Sequence, residues 1–458
     1  MSETNERLNY RKTLLLGFGF MASSLAWALY NAQVPLMLKD VYGFDKDHAG
    51  IIMGLDNLVG LVLLPLLGAW SDRSFTRIGR RMPWIVIGIP LSALLFALIP
   101  WFGSLGATIG ILIAFILAMS LWRTPVIALM PDLTPRPLRS KANGLINLMG
   151  GIGGILAFTI GMIVVSTGTR RVAFGTGSIF MLIAFACLVL FIREPAAAVW
   201  RKHIDGGGDR NRSQFAKIFI AEDKLIDKAA AGEEDRALTS EEKRSLILIL
   251  SAIFFWFCAY NAIETFFTTF AQETLKVPAG IETGLLNAFL LPFIAFALPA
   301  GLIGYKKGRK KTIVAGLLVL IAAMMPIIFV DKIFAQFGMQ MGDKSSFLGT
   351  MILVVGSLVV AGCGWACVNI NSLPMIVELA TLSKIGRYTG FYYTFSFSAQ
   401  TITPWFAGLL MEKIDNRMLF IYSAVCFAAA LLCMLFVKRG DVHRHSKEVM
   451  EEALLDLD

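Results

Sequence analysis

Residues 68–85 read GAWSDRSFTRIGRRMPWI, and four arginines fall within nine residues of this stretch, between two long apolar runs. A second basic stretch, GLIGYKKGRKK at 301–311, also lies between two apolar runs. Positive charge at this density fits a nucleic-acid patch, a lipid-binding patch or a mechanical latch. The position of the two stretches relative to the apolar runs decides among these interpretations.

The composition indicates a membrane protein. Of the 458 residues 56% are hydrophobic and 16% are charged, with a mean hydropathy of +0.67, whereas soluble domains carry about 25% charged residues. The six cysteines lie inside apolar runs, and no histidine or carboxylate joins Cys363 and Cys367, so we predict no metal site. The first dozen residues are polar, and we expect no cleaved signal peptide.

A helix needs about 20 mostly apolar residues to cross a bilayer. Twelve stretches meet this requirement and predict twelve spans, numbered in chain order: 13–38, 48–70, 83–101, 106–130, 143–166, 174–192, 245–270, 280–303, 312–330, 347–376, 388–411 and 418–437. We therefore predict an N-terminal six-helix bundle at 1–192, a cytoplasmic linker at 193–243, a C-terminal six-helix bundle at 244–437 and a cytoplasmic tail at 438–458.

The distribution of basic residues predicts the orientation. With a cytoplasmic N-terminus, 32 of the 42 lysines and arginines lie on the cytoplasmic side, 9 lie in outer loops and Arg123 lies within a span. This bias follows the positive-inside rule. It predicts a multi-pass protein of the cell (inner or plasma) membrane with both termini cytoplasmic, and it places both basic stretches against anionic lipid.

The linker does not fit a nucleic-acid arm. Residues 193–244 hold 11 basic and 11 acidic residues, so their net charge is zero. After the flexible GGG at 206–208, SQFAKIFIAEDKLIDKAA places apolar side chains near one helical face. The pattern predicts an amphipathic helix on the cytoplasmic surface.

The two halves of the chain are related by an internal repeat. Tyr30-Asn31-Ala32 returns as Tyr260-Asn261-Ala262, Gly54 matches Gly284, and later Asp132 matches Glu378. Polar matches in register across several spans predict two parallel six-helix repeats. Such repeats resemble the major facilitator fold, so the predicted fold class is an all-α membrane protein with twelve transmembrane helices in two pseudo-symmetric bundles.

The loop pattern Gly68…Asp72-Arg73…Gly79-Arg80-Arg81 resembles the loop motif of the major facilitator superfamily. Together with RTPVIALMPDLTPRPLRSKANG at 123–144, its longer form resembles the glycoside–pentoside–hexuronide:cation symporters, in the branch with sucrose/proton symporters. The resemblance implies uptake of a sugar or glycoside with a cation by alternating access.

Span 2 departs from one pattern of that family. Melibiose-type members carry two aspartates there for the coupling cation, but Gly60 and Leu64 occupy the nearest equivalent positions. Only Asp56, about a turn outward, is acidic. We therefore favour a proton over sodium as the coupling ion.

Ionisable residues inside a bilayer are costly and are candidates for function. A buried carboxyl group can hold and release a proton, which makes Asp56 and Glu264 the predicted coupling residues. Arg123 stays charged and is predicted to bind substrate or to modulate an acidic partner. Static ion pairs between helices are the alternative for each of these residues.

A sugar site needs amides for hydroxyl groups and flat apolar faces for C–H surfaces. The predicted substrate-binding residues combine both kinds: Arg123, Trp27, Tyr30, Asn31, Tyr260, Asn261, Trp365, Asn369, Asn371, Tyr393 and Gln400. By resemblance, spans 1, 4, 7 and 10 line the central cavity. Helix packing and bonds between helices are the alternative for these side chains.

The charges at the inner span ends are predicted to form gates: Asp72, Arg73, Arg80, Arg81, Asp132 and Glu378. We expect Asp72 to meet the N-terminal end of span 11, where the helix dipole favours negative charge. Loss of this contact in Asp72→Asn is expected to shift the balance of inward- and outward-facing states.

The predicted function is secondary active transport, most simply proton-coupled uptake of a sugar or glycoside by a monomer. An exporter of drugs or metabolites on the same fold is the first alternative, and a non-transporting membrane sensor is the second. No nucleophile–base pair, nucleotide loop or metal cluster appears in the sequence. We therefore predict no enzyme activity and no cofactor, with partners limited to a small molecule, a proton and the lipid bilayer, without nucleic acid.

Overall fold

The computed structural model describes residues 9–134, 138–167, 169–205, 239–336, 344–379 and 385–439, which are almost entirely helical. The α-helices of the described residues are α1 (Tyr10–Tyr42), α2 (Lys46–Arg73), α3 (Met82–Leu98), α4 (Leu105–Leu133), α5 (Arg139–Thr167), α6 (Arg170–Phe191), α7 (Pro195–Asp205), α8 (Ser240–Glu273), α9 (Ile281–Leu285), α10 (Asn287–Lys307), α11 (Arg309–Ile328), α12 (Val330–Gln336), α13 (Lys344–Val377), α14 (Ile385–Lys413) and α15 (Met418–Phe436). The predicted all-α fold class is confirmed.

Eleven helical stretches of the described chain are long and apolar enough to cross a membrane. They coincide with predicted spans 1–10 and 12. Predicted span 11 corresponds to α14, which has 29 residues but is not among the eleven. Hydroxyl and amide side chains lower the mean hydropathy of this helix. They occur in its sequence IGRYTGFYYTFSFSAQTITP at 385–404.

The start of α8 illustrates how the sequence sets a boundary at the membrane surface. Thr239 accepts a hydrogen bond from the Glu242 backbone N–H at 3.3 Å, and the Glu242 carboxylate accepts one from the Thr239 N–H at 2.8 Å. This reciprocal capping box satisfies two amide groups that a helix leaves without partners. The apolar part of α8 follows directly.

The described residues divide into two compact units. The first contains the residues up to Met37, those from Leu58 through α7, and 279–283; the second contains 38–57, 239–278 and the residues from Gly284 onward. The first unit has an aromatic core in which Phe96 lies 5.1 Å from Phe115 and 4.7 Å from Phe174 between ring centroids. In the second, Phe270 meets Phe420 edge to face at 4.8 Å.

The two units do not follow the sequence halves at every point. The predicted outer ends of α1 and α2, within residues 38–57, belong to the second unit, and 279–283 belong to the first. The division into two six-helix bundles stays a prediction. The predicted amphipathic helix of the linker and the tail beyond residue 439 lie outside the described residues.

Candidate transport site and gates

The basic stretch at 68–85 forms an ion-pair cluster with the end of α4. Arg80 binds the Asp132 carboxylate through Nη2 at 2.6 Å and Nε at 3.3 Å, and Arg81 Nε binds it at 3.2 Å. Arg81 also pairs with Asp72 and donates to the Ser71 hydroxyl. Both arginines are buried. Four of the six predicted gate residues therefore lie together.

Glu194, which the sequence argument missed, completes this cluster. Its carboxylate accepts the backbone N–H groups of Arg80 at 2.9 Å, Arg81 at 2.9 Å and Met82 at 3.2 Å, at the N-terminus of α3. Burial raises the pKa of Glu194, while the three N–H donors oppose this and the charge of Asp132 adds to it. The available signal was a carboxylate directly after span 6, in Arg193-Glu194-Pro195.

Gly79 makes this approach possible. Its φ is +126°, and a Cβ at this position would lie 2.1 Å from Glu194 Oε2. A side chain would both strain the backbone and displace the carboxylate. The glycine of the Gly79-Arg80-Arg81 pattern therefore leaves room for the anion that holds α3.

The second half repeats the ion pair. Arg309, at the start of α11, pairs with Glu378, the repeat mate of Asp132. Lys310 Nζ donates to the carbonyl oxygens of Leu435 at 2.9 Å and Val437 at 2.6 Å at the end of α15. Arg73, by contrast, is exposed and lies outside the first cluster. The contact of Asp72 with span 11 stays a prediction.

Predicted substrate residues of the first half form an aromatic cluster. Trp27 lies 5.5 Å from Tyr30, Tyr30 lies 5.8 Å from Phe115, and the Arg123 guanidinium lies 5.7 Å from the Trp27 ring centroid. Trp27 Nε1 is buried without a hydrogen-bond partner among the described residues. Asn31, one turn further along α1, is half-buried. This cluster combines a flat apolar face with polar groups.

The second half contains a similar cluster of aromatic and polar side chains around Tyr260. The ring of Tyr260 stacks on Trp365 with centroids 4.4 Å apart and planes 7° from parallel, and Phe257 meets Trp365 edge to face at 5.8 Å. The Tyr260 hydroxyl hydrogen-bonds to the Glu264 carboxyl group. Asn261 Oδ1 is buried and has no partner within the described part of the chain. Asn369, on α13 with Trp365, is half-buried.

Of three other predicted substrate residues, Asn371 and Gln400 form hydrogen bonds within the protein, whereas Tyr393 is exposed. Asn371 Nδ2 donates to the carbonyl oxygens of Ala300 at 3.1 Å and Cys367 at 3.0 Å, and a Cβ on Gly304 would lie 1.8 Å from its Oδ1. Gln400 Nε2 donates to the Ser396 carbonyl at 3.1 Å, and Tyr393 is 49% exposed. The contacts of Asn371 favour a packing role.

The two predicted coupling carboxylates both belong to the second unit. Asp56 Oδ1 accepts from the Asn57 backbone N–H at 2.7 Å and from its Nδ2 at 2.8 Å. A further carboxylate, Glu282 in α9, is fully buried in the first unit and was missed, although it stands in the predicted span 8. Beside it in sequence, Thr283 accepts a hydrogen bond from Gln33 at 2.8 Å.

A second ion-pair cluster, also missed, joins the predicted outer ends of α1, α2, α8 and α14; it is called the outer cluster below. Lys39 pairs with Glu273, while Lys46 Nζ lies 3.1 Å from Glu273 and 3.3 Å from Glu412. Asn416 donates to Glu273 at 2.9 Å. In the sequence these residues were only charges flanking spans, and their pairing depends on packing between distant helices.

Glycines bring α2 and α14 together next to this outer cluster. A Cβ on Gly50 would lie 2.1 Å from the Pro404 carbonyl oxygen, and one on Gly54 would lie 2.5 Å from that of Thr401. A Cβ on Gly408 would lie 2.3 Å from the Lys46 carbonyl oxygen. Small residues let helix backbones approach this closely in a membrane.

The first turn of α2 and the residue before it hold potential metal ligands. Side-chain atoms of Asp45, Asp47 and His48 lie within 4.8 Å of one another. Asp45 and His48 are exposed, and His48 Nδ1 already lies 3.1 Å from Asp47. We assign no metal to this turn.

The chain also matches a known protein family. The model described as Major Facilitator Superfamily matches residues 16–400 and, in a second alignment, 281–455. The chain belongs to the major facilitator superfamily. This membership confirms the superfamily predicted from the repeat and the basic loop, and the superfamily consists of transporters rather than enzymes.

Two curated relatives share shorter segments with this superfamily member. An uncharacterized symporter of Synechocystis is 26% identical over 175 residues, which are 36% of this chain and 32% of that protein. Sucrose transport protein SUC3 of Arabidopsis thaliana is 28% identical over 159 residues, which are 30% of this chain and 26% of that protein. The chain thus matches about a third or less of the length of these relatives.

Solved structures match over nearly the whole chain. A POT family transporter in complex with 5-aminolevulinic acid superposes with a TM-score of 0.68 at 14% identity, covering 93% of this chain and 96% of that one. The nucleoside transporter NupG gives a TM-score of 0.68 at 14% identity, covering 93% and 100%. At this identity the likeness shows the fold alone.

Proposed function

We propose that this protein is a secondary transporter that takes up a sugar or glycoside together with a proton. The observation that carries the proposal is the stack of Tyr260 on Trp365, with the Glu264 carboxyl group hydrogen-bonded to Tyr260. A stacked aromatic pair offers an apolar face to sugar C–H groups. A carboxyl group within a span can bind and release a proton.

The polar groups that the structure leaves without partners support a polar substrate. Trp27 Nε1 and Asn261 Oδ1 are buried and have no partner in the described chain. A buried polar group without a hydrogen bond is costly, so a bound hydroxyl group or water is expected at each. Two of the relatives are named sucrose transport proteins, which agrees with this substrate class.

The same proposal assigns the two ion-pair clusters to gates. The inner cluster of Asp72, Arg80, Arg81, Asp132 and Glu194, the separate Arg309–Glu378 pair of the second half, and the outer cluster around Glu273 would each break and re-form as the carrier alternates. The charge bias of the loops supports an orientation with both termini in the cytoplasm.

Uptake into proteoliposomes tests the proposal. We expect labelled sugars from a panel to accumulate when an inward proton gradient is imposed, and not after the gradient is collapsed. The panel includes a dipeptide and a nucleoside. If only one of these accumulates, the sugar assignment is wrong and proton coupling is retained.

Coupling is tested in the same vesicles. Asp56→Asn and Glu264→Gln are expected to reduce gradient-driven accumulation at least about tenfold, while counterflow exchange persists because it needs no net proton movement. Glu241→Gln is the matched control, since Glu241 is exposed at the start of α8. Normal accumulation by both Asp56→Asn and Glu264→Gln would overturn the coupling assignment.

A further inference from the structure

A cavity of about 440 Å³ opens beside the predicted cytoplasmic ends of α2 and α3 and the middle of α4. Arg73, Ser74 and Thr76 lie on its polar side, and Trp84, Ile87 and Leu121 form its apolar wall. All of these residues belong to the first unit. None of them takes part in the inner ion-pair cluster.

Arg73 is the single charged side chain of the lining. It is exposed, and no hydrogen bond or ion pair within the described part of the chain engages its guanidinium group. The hydroxyl groups of Ser74 and Thr76 donate to the carbonyl oxygens of Trp70 at 2.8 Å and Gly79 at 2.7 Å. Among the described residues no partner compensates this positive charge, so we expect the rim to attract an anion.

The apolar wall continues away from this rim. On α3, Ile87, Leu91 and Leu94 follow one another at helical spacing and are 64%, 39% and 58% exposed. On α4, which packs beside α3, Leu117 and Ile113 extend the line from Leu121 with 41% and 40% exposure. The exposed apolar side chains of the two neighbouring helices run from the cavity into the predicted hydrocarbon region.

Trp84 lies between the charged rim and the rest of the apolar wall of the cavity. It is half-buried at the start of α3, and tryptophan is enriched where a protein crosses from headgroups to hydrocarbon. The cavity thus joins a cation, an interfacial aromatic ring and a line of exposed apolar side chains, in the order in which a phospholipid presents phosphate, glycerol and acyl chain.

We propose that this cavity binds an anionic phospholipid of the cytoplasmic leaflet. The phosphate meets Arg73, the glycerol lies against Trp84, and an acyl chain lies along the exposed apolar side chains of α3 and α4. The lining contains no carboxylate that would take the ammonium group of a zwitterionic lipid. The charge of the rim therefore favours a headgroup with net negative charge.

Native mass spectrometry of the delipidated full chain tests this site, with phosphatidylglycerol and phosphatidylcholine added separately. We expect more copies of phosphatidylglycerol to be retained. Arg73→Ala is expected to weaken its binding about fivefold, the loss for one basic contact at a membrane surface. Arg77→Ala is the matched control, because Arg77 is exposed on the same loop, has no described partner and does not line the cavity.

Leu121→Trp tests the cavity independently of its charge. The larger side chain fills the apolar wall, so lipid binding is expected to fall although Arg73 is intact. Thermal unfolding of each variant checks that it is folded. Equal retention of the two lipids, or equal losses in Arg73→Ala and Arg77→Ala, would overturn the proposal. Full displacement of the lipid by glycerol 3-phosphate would instead indicate a site for soluble phosphate and would also overturn it.

Discussion

At the scale of single residues, Glu194 is a fully buried carboxyl group of the inner cluster. Three backbone N–H groups of residues 80–82 converge on it. Burial, the largest influence, raises its pKa above the ordinary value of 4.5. The folded state therefore holds this proton more tightly than the unfolded state.

The raised pKa of Glu194 sets the direction in which the stability of the protein changes with pH. The ionised carboxylate costs stability, and this cost is absent below pH 4.5 and fully present above the raised pKa. We expect the melting temperature of the protein, relative to that of Glu194→Gln, to fall as the pH rises through this window and then to level off. Thermal unfolding in detergent across a pH series measures this, with exposed Glu241→Gln as control. A difference that is constant with pH, or that grows in favour of Glu194, would contradict the expectation.

At the scale of elements, the contact between α2 and α14 depends on glycine. Because a Cβ on Gly50 would lie 2.1 Å from a backbone oxygen, any larger side chain must separate the two helices. We expect Gly50→Leu to lengthen the distance between spin labels at His48 and Lys413, measured by pulsed electron resonance. Both labelled positions are exposed at the outer ends of these helices.

A matched substitution controls for bulk alone. Gly106→Leu adds the same side chain to α4 at a position with open space around the Cβ, so the label distance should not change. If Gly50→Leu also left the distance unchanged, close glycine packing would not hold α2 against α14.

At the scale of the whole molecule, the repeat places an ion pair at equivalent inner positions of the two halves. Arg309 with Glu378 repeats Arg80 and Arg81 with Asp132. We expect Arg309→Glu and Glu378→Arg to destabilise the protein singly and the double exchange to recover part of the loss. A coupling free energy of about 0.5–3 kcal/mol is expected from the double-mutant cycle, which thermal unfolding measures.

The exposed pair Arg439–Glu241 serves as the control for this cycle. Its side chains are 58% and 56% exposed, against 20% and 26% for Arg309 and Glu378. Exposed pairs contribute about 0–1 kcal/mol because water and salt screen them. Equal coupling in the two cycles would indicate that the inner pair acts only as a surface contact.

Apolar runs and repeated polar positions determined the fold class, the spans and the superfamily. Hydrocarbon requires every spanning backbone group to bond within its own helix, so the length and hydropathy of a segment suffice to predict a span. Span 11 is the informative exception, because hydroxyl and amide side chains lower its hydropathy while α14 still forms over 29 residues. The aromatic and amide residues of α1 and α8 were also identified, since the repeat made them stand out.

Only the tertiary structure decided which of these residues meet. Tyr260 stacks on Trp365, and Asn371 forms a hydrogen bond to a neighbouring helix. Glu194 accepts the backbone N–H group of Arg80, and Glu273 and Glu412 pair with Lys46. These contacts join helices far apart in the chain. They depend on the rotation of each helix and on how closely two backbones approach, and hydrophobic periodicity within a single span specifies neither.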